Sequence, residues 1–256
     1  MIAAERQDLI LRKIRANRIV SVVELARELN TTEITIRRDL DFLEKKGWLI
    51  RSHGGAMLNE KVAFESDFSI RKAERPEIKT LIAKKAAAMI TEGECIGLDI
   101  GTTAFEMTRF VRDIPNLKVI TASVPVVAEL ALAPMARVIC VGGELSRKDM
   151  SLVGQNAIRT LQEYILDRVF LGVAGISFKY GYTLYNYEDA LVKRVLVERA
   201  REVVIVSDSS KIGLERHAFM APIEAAQKLV TDSGISREDI KRFESYGVEV
   251  IIADAE

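Results

Sequence analysis

Residues 31–57 read TTEITIRRDLDFLEKKGWLIRSHGGAM. Thr32 suits a helix N-cap, since its hydroxyl can accept from a first-turn backbone N–H. From Ile36 the apolar residues Ile36, Leu40 and Leu43 recur at helical spacing, so one stripe faces a core. At about 100° per residue, Ile34, Arg38, Asp41 and Lys45 point away from that stripe, with Thr35 and Arg37 on its flanks. After Gly47 closes the helix, Trp48-Leu49-Ile50-Arg51 reads as a strand and Ser52-His53-Gly54-Gly55 as a hairpin tip.

Upstream, residues 5–16 place Leu9, Ile10, Lys13 and Ile14 in an amphipathic pattern, and residues 22–29 read as a second short helix. Ser21 and Glu24 are expected to form its capping box. The turn Asn30-Thr31-Thr32 has the length of a helix-turn-helix, whose later helix lies in the major groove. With the hairpin behind it, the module is a winged helix. Arginine pairs on a helix are as a rule only a solvated face. Three short helices, a polar turn and a basic wing together point to double-stranded DNA. The expected DNA-binding residues are Thr32, Thr35 and Arg38, of which Thr35 and Arg38 enter the groove, with Arg37 and Lys45 on phosphates and Arg51 and His53 from the wing. Asp39 is expected to hold an arginine in place.

The 256 residues carry no formal net charge, which is unusual for a DNA binder until the chain is divided. Residues 1–58 hold 11 Lys+Arg and 8 Asp+Glu, so the surplus sits at the end that would read DNA. So small a surplus makes affinity depend on placement and on pairing of modules rather than on bulk charge. With 48% hydrophobic residues the chain can bury a substantial core, and its length suits two domains. No signal-peptide pattern is read and no apolar run nears the roughly 20 residues that span a bilayer. A cytoplasmic location with no membrane partner is therefore expected. Cys95 and Cys140 lie in apolar segments and are expected to be core thiols. With two His far apart, no metal site is read and no cofactor is expected.

Residues 58–75 are polar with scattered apolar positions and read as a linker between a domain at 1–57 and another at 76–256. Val62, Phe64, Phe68 and Ile70 alternate with polar residues as in a short strand. Beyond Pro76 helical stretches alternate with short apolar runs. Helices are expected at 78–90, 103–111, 124–132, 158–164, 187–201 and 238–246. Strands are expected at 95–99, 118–121, 138–141, 168–173, 203–207, 228–231 and 249–252. This rhythm predicts an α/β domain on a mainly parallel sheet covered on both faces.

Such sheets bind ligands beyond the carboxyl ends of their strands. Leu98-Asp99-Ile100-Gly101-Thr102-Thr103 joins a strand to a helix and looks like a phosphate cradle, though a plain Thr-capped turn gives the same pattern. Gly142-Gly143 ends the next but one strand. Asp208-Ser209-Ser210-Lys211 follows another, with Asp208 able to accept sugar hydroxyls and Lys211 supplying charge for a phosphate.

Arg6, Ile10, Ile14, Thr32 and Thr35-Ile36-Arg37-Arg38-Asp39-Leu40 resemble the N-terminal signature of the DeoR-type bacterial transcriptional regulators. The wing Arg51 to Ala56 resembles theirs too. So do Asp99 to Thr103, Gly142-Gly143, Ser151 to Gly154, Asp167 to Gly172, Gly181 to Thr183 and Asp208 to Lys211. The resemblance implies a C-terminal domain similar in fold to ribose-5-phosphate isomerase that senses a sugar phosphate. It implies a repressor of a carbohydrate-catabolism operon, released from operator DNA by a phosphorylated sugar or polyol. Effector contacts are expected at Asp99, Gly101, Thr102, Thr103, Gly142, Gly143, Glu188, Asp208 and Lys211. Two positions depart from the family pattern: Ala122 stands where an Asn is common, and Ala174 where an Asp is common. Fewer buried hydrogen-bonding groups imply a ligand with fewer hydroxyls or another orientation.

Pairing of two winged helices on repeated half-sites implies a homodimer or homotetramer. Two other readings stand beside this one. Asp99, Glu188, Asp208 and Lys211 are the groups an isomerase-like enzyme would use, although no motif marks a base against a carbon acid. A DNA-bound activator without an effector is the third.

Overall fold

Six apolar residues from three helices, Ile10, Ile14, Leu25, Ile36, Leu40 and Leu43, are buried together in the N-terminal unit. They belong to α1 (Ala3–Asn17), α2 (Val22–Glu28) and α3 (Glu33–Lys45). Strands β1 (Ile19–Ser21), β2 (Leu49–Ser52) and β3 (Gly55–Leu58) form an antiparallel sheet in the order β1-β3-β2. The computed structural model describes residues 3–17, 19–45, 48–52, 54–58 and 68–254. By its contacts the chain divides into Met1–Ser66 and Asp67–Glu256.

Thr32 caps α3 as expected, its Oγ accepting from Thr35 N at 3.3 Å. The Ser21 capping box does not form: Ser21 makes no side-chain cap bond. Ser21 is committed to β1 opposite Gly55, and Gly54 O takes the first amide of α2, Val22 N, at 2.9 Å. Gly54 turns the wing hairpin with φ +81°, a left-handed backbone that side chains disfavour.

The second unit opens with α4 (Phe68–Ala73) and α5 (Pro76–Ala87). Then follow β4 (Cys95–Leu98), α6 (Thr102–Glu106), α7 (Thr108–Val111), β5 (Lys118–Thr121), α8 (Val124–Leu130) and β6 (Arg137–Cys140). Next come β7 (Glu144–Ser146), β8 (Ser151–Val153), α9 (Gln155–Gln162), β9 (Leu166–Leu171), β10 (Gly175–Ser177), β11 (Gly181–Leu184) and α10 (Tyr187–Arg199). The chain ends through β12 (Ala200–Val206), β13 (Ala218–Ala221), β14 (Lys228–Asp232), α11 (Arg237–Ser245) and β15 (Glu249–Ala253). Seven strands form a wholly parallel sheet in the order β15-β14-β12-β9-β4-β5-β6. Alternate residues serve opposite faces: Val169, Leu171, Val203 and Ile205 enter one core, while Phe170, Val204 and Val206 enter the other. Both faces are covered, as a parallel sheet requires.

Four expectations need correction. The helix expected at 103–111 breaks at Met107, where Thr108 Oγ donates to Phe105 O at 2.7 Å, a local bond that competes with the helical ladder. The hairpin β7-β8 and the small antiparallel sheet β10-β11-β13 were not expected, because strands of three or four residues are too short to show a period. Cys140 is exposed rather than buried, since β6 is an edge strand. Of the residues read as a short strand in the linker, Val62 and Phe64 lie outside the described residues. Phe68 and Ile70 lie on a helix, where Phe68 is buried edge-on against Phe105 at 5.6 Å between ring centroids.

Candidate functional site

Sheet order reverses direction at β4. From there β5 and β6 run to one side, and β9, β12, β14 and β15 to the other. The carboxyl ends of β4 and β9 flank the topological switch point of an open α/β sheet, the position at which sheets of this class bind ligands. Asp99 and Gly172 directly follow β4 and β9, and Asp208 comes two residues after β12.

Asp99 is 1% exposed and its Oδ2 accepts three bonds, from Gly101 N at 3.1 Å, Gly172 N at 2.8 Å and Lys193 Nζ at 2.7 Å. Lys193, from the middle of α10, also donates to Gly172 O at 2.6 Å. Asp99 Oδ1 is buried without a hydrogen-bond partner. The two glycines touch over this carboxylate: a Cβ on Gly101 would stand 3.0 Å from Asp99 Oδ2 and 3.3 Å from Gly172 Cα. A side chain there would fill the crevice floor.

Asp208 is 4% exposed. Its Oδ1 accepts from Ser210 N at 3.1 Å, from Ser210 Oγ, and from Arg75 NH1 at 3.3 Å. Ser209 N and Oγ bond to the Asp232 carboxylate at 2.7 and 2.9 Å, so the turn is held by neighbouring strand ends. Lys79 is buried nearby, with Nζ donating to Arg71 O. Burial lowers its pKa to about 8, against the attraction of Glu74 and Asp208 and with the repulsion of Lys211. Three cations, Arg75, Lys79 and Lys211, thus gather around Asp208.

A carboxylate pair joins Asp189, at the start of α10, to Asp149, just before β8. Asp189 Oδ1 accepts from Ser151 Oγ at 2.9 Å, and Asp149 takes Arg71 NH2 at 2.6 Å. Burial first, and then the charge and hydrogen bond of Asp149, push the Asp189 carboxyl up to about 7.

Placement of the expected effector residues is uneven. Asp99 and Gly101 are joined at the switch point, and Thr102 and Thr103 are buried at 7% exposure in the first turn of α6. That helix has only five residues, which makes it a weak anion cradle on its own. Asp208 and Lys211 stand at the neighbouring strand end. Gly142 and Gly143 follow β6, two strands from β4. Gly143 lies close to β8, since a Cβ there would stand 2.4 Å from Val153 O. Glu188 is exposed, and its N–H caps onto Asn186 at 2.9 Å. Arg75, Lys79, Asp189 and Lys193 were not among the expected residues. The buried charges of α10 carried one available signal, since Asp189 and Lys193 are four apart on an otherwise apolar face.

In the winged helix, Ile34, Arg37, Arg38, Asp41 and Lys45 are exposed on α3, with Ile34 at 65%. Arg37 pairs with Glu33 one turn earlier at 3.2 Å. Thr35 Oγ and Thr32 Oγ are 2.9 Å apart. Arg51 turns inward: it meets Asp41 at 3.3 Å and Gly55 O at 3.2 Å, and its amide donates to Glu44 at 3.0 Å. It ties the wing to α3. Asp39, 4% exposed, holds Arg6 at 2.5 Å and Gln7 at 2.9 Å. His53 lies outside the described residues.

Among the described residues no helix is long and apolar enough to cross a membrane, and no group of three or more His, Cys, Asp or Glu is placed to hold a metal ion.

A family model described as the DeoR-like helix-turn-helix domain matches residues 6–62, and one described as the DeoR C-terminal sensor domain matches residues 74–233. An HTH-type transcriptional regulator of Bacillus subtilis (strain 168), YulB, is 36% identical over 250 residues, covering 98% of this chain and 96% of its own. A putative aga operon transcriptional repressor of Escherichia coli O157:H7 is 31% identical, covering 97% and 93%. The glycerol-3-phosphate regulon repressor of Escherichia coli (strain K12) is 30% identical, covering 90% of each chain. Among solved structures, ribose 5-phosphate isomerase A from Methanocaldococcus jannaschii is similar at 19% identity and a TM-score of 0.38 over 54% of this chain and 55% of that one.

Proposed function

From the premise that this chain belongs to the DeoR family of helix-turn-helix transcriptional regulators, we propose that it represses a carbohydrate-catabolism operon and leaves its operator when a phosphorylated sugar or polyol binds. The observation that carries this reading is the cluster at the switch point. Asp99, Gly172 and Asp208 lie just beyond three adjacent strands, with Lys193 bonded to Asp99 and Gly172, and Arg75, Lys79 and Lys211 near Asp208. Carboxylates accept hydroxyls, and the gathered cations favour a phosphate dianion. Relatives named for the glycerol-3-phosphate regulon and the aga operon make phosphorylated polyols and sugars the compounds to test first. The α3 face with Thr35 and Arg38 reads base edges, Arg37 and Lys45 contact phosphates, and a homo-oligomer sets the spacing of the half-sites.

The test is to select operator sequences from random duplex DNA with the full chain. Release from the selected duplex is then measured against phosphorylated compounds and their unphosphorylated counterparts. Release only by phosphorylated members supports the reading, and selection of no common sequence sinks it. The enzymatic alternative gains nothing from the geometry. Glu188 is exposed, and Lys193 is engaged by Asp99 and Gly172.

A further inference from the structure

Helix α4 is the first described element after the winged-helix unit, and its attachments converge on the effector crevice. Phe68 packs on Phe105 of α6, the helix that follows Gly101, and Lys72 lies 4.2 Å from the centre of the same ring. Phe68 N donates to Lys148 O at 2.8 Å. Arg71 pairs with Asp149 at 2.6 Å, and Asp149 acts on Asp189, one turn before Lys193 on α10. Arg71 O accepts from Lys79. At the junction of α4 and α5, Arg75 reaches Asp208 at 3.3 Å. The contacts of α4 and of the junction after it therefore run to α6, which follows Gly101, to Asp149 beside Asp189 of α10, and to Asp208.

Arg75 has two properties that its neighbours lack. Its backbone is left-handed, φ +46° and ψ +50°, a conformation that costs an ordinary side chain about 1 kcal/mol or more. Its side chain is 49% exposed while that of Asp208 is 5% exposed, so the guanidinium is the open member of the pair. Asp208 also keeps Ser210 N and Ser210 Oγ when Arg75 leaves. The Asp208 carboxylate thus stays hydrogen-bonded after Arg75 departs, and a phosphate offers the guanidinium two oxygens in a fork that fits it.

We propose that Arg75 is the residue through which this site reports occupancy: the anionic group of the effector takes Arg75 from Asp208, and loss of that contact loosens α4. This rests on the effector reading above and adds its output. Along the sequence α4 is the first described helix after the DNA-binding unit, so its state is the part of this signal nearest to that unit in the chain. Arg71 and Asp149 belong to the same device without touching the ligand.

Hydrogen exchange of the full chain, read on peptides covering residues 68–75, tests it in two arms. Without any ligand, Arg75→Gln should speed exchange in α4 at least tenfold while β9 and β12 stay protected, and should weaken operator binding. Unchanged exchange and unchanged operator affinity would overturn the inference whatever the protein binds. In the second arm, inorganic phosphate and glycerol 3-phosphate are added to wild type. Protection gained at 99–103 and 207–211 with faster exchange in α4 is the expected result. Protection gained with α4 unchanged overturns the inference and leaves the effector site standing. No protection from either anion counts against the site itself. Arg71→Gln should keep the protection at 99–103 and lose anion-driven release of DNA, whereas a merely structural role would leave release intact.

Discussion

Lys193 Nζ lies 2.7 Å from Asp99 Oδ2, with the two side chains 4% and 1% exposed. A pair so deeply buried is costly to assemble and costlier to break, because removing one partner leaves an uncompensated charge in a dry site. Lys193→Met should lower unfolding stability by about 3–5 kcal/mol, read by urea denaturation of the full chain. The double variant Asp99→Asn with Lys193→Met should lose much less. Equal losses in the two would mean that packing rather than charge sets the cost.

Gly101→Ala places a Cβ 3.0 Å from Asp99 Oδ2 and 3.3 Å from the Gly172 backbone. Overpacking of this kind costs about 1–3 kcal/mol, and the crevice floor should lose effector affinity with it. Gly142→Ala meets nothing within 4 Å and should stay within about 0.5 kcal/mol of wild type. Thermal unfolding of the two variants side by side checks the contrast, and an equal effect would remove the special status of the Gly101–Gly172 contact.

Asp189 gives a pH dependence with a definite sign. Its carboxyl is raised from 3.8 to about 7, chiefly by burial and then by Asp149. Between about pH 4 and pH 7 the folded chain therefore holds a proton that the unfolded chain has lost. The contribution is full below about pH 4, declines as pH rises toward 7, and is flat above. Asp189→Asn keeps an acceptor for Ser151 and removes the titration. Denaturant midpoints at pH 5 and pH 8 should differ less in the variant than in wild type, and identical differences would contradict the assignment.

Arg38 and Arg51 should separate in a DNA competition assay. Arg38 is exposed on α3, and Arg38→Ala should cost about 1–3 kcal/mol and relax selectivity at one base position. Arg51 is tied to Asp41 and Gly55 O, so Arg51→Ala should weaken all sequences alike by loosening the wing. The reverse pattern would move base reading to the wing.

Periodicity carried the parallel sheet and the three short helices, because strands such as Lys118–Thr121 and helices such as Tyr187–Arg199 have composition and length enough to show. The strands Gly175–Ser177 and Gly181–Leu184 stayed hidden, since pairing partners rather than local pattern define them. Near the switch point, the positions of Asp99, Gly101 and Asp208 were legible because each lies within three residues of a strand end. Lys193 and Asp189 were not, because a charged residue inside a helix reads as a surface residue until the packing of that helix is known. Arg75 was hidden for a different reason: its contact with Asp208 spans 133 residues and no local pattern announces it.

The most direct measurement is fluorescence anisotropy of the full chain on its selected operator, titrated with phosphorylated and unphosphorylated members of one sugar and polyol panel, for wild type and Lys211→Ala. By this mechanism a phosphorylated compound raises the operator Kd at least tenfold, about 1.4 kcal/mol. Its unphosphorylated form should do nothing, and Lys211→Ala should need at least tenfold more compound. Release by both forms alike, or an unchanged response in Lys211→Ala, would contradict it.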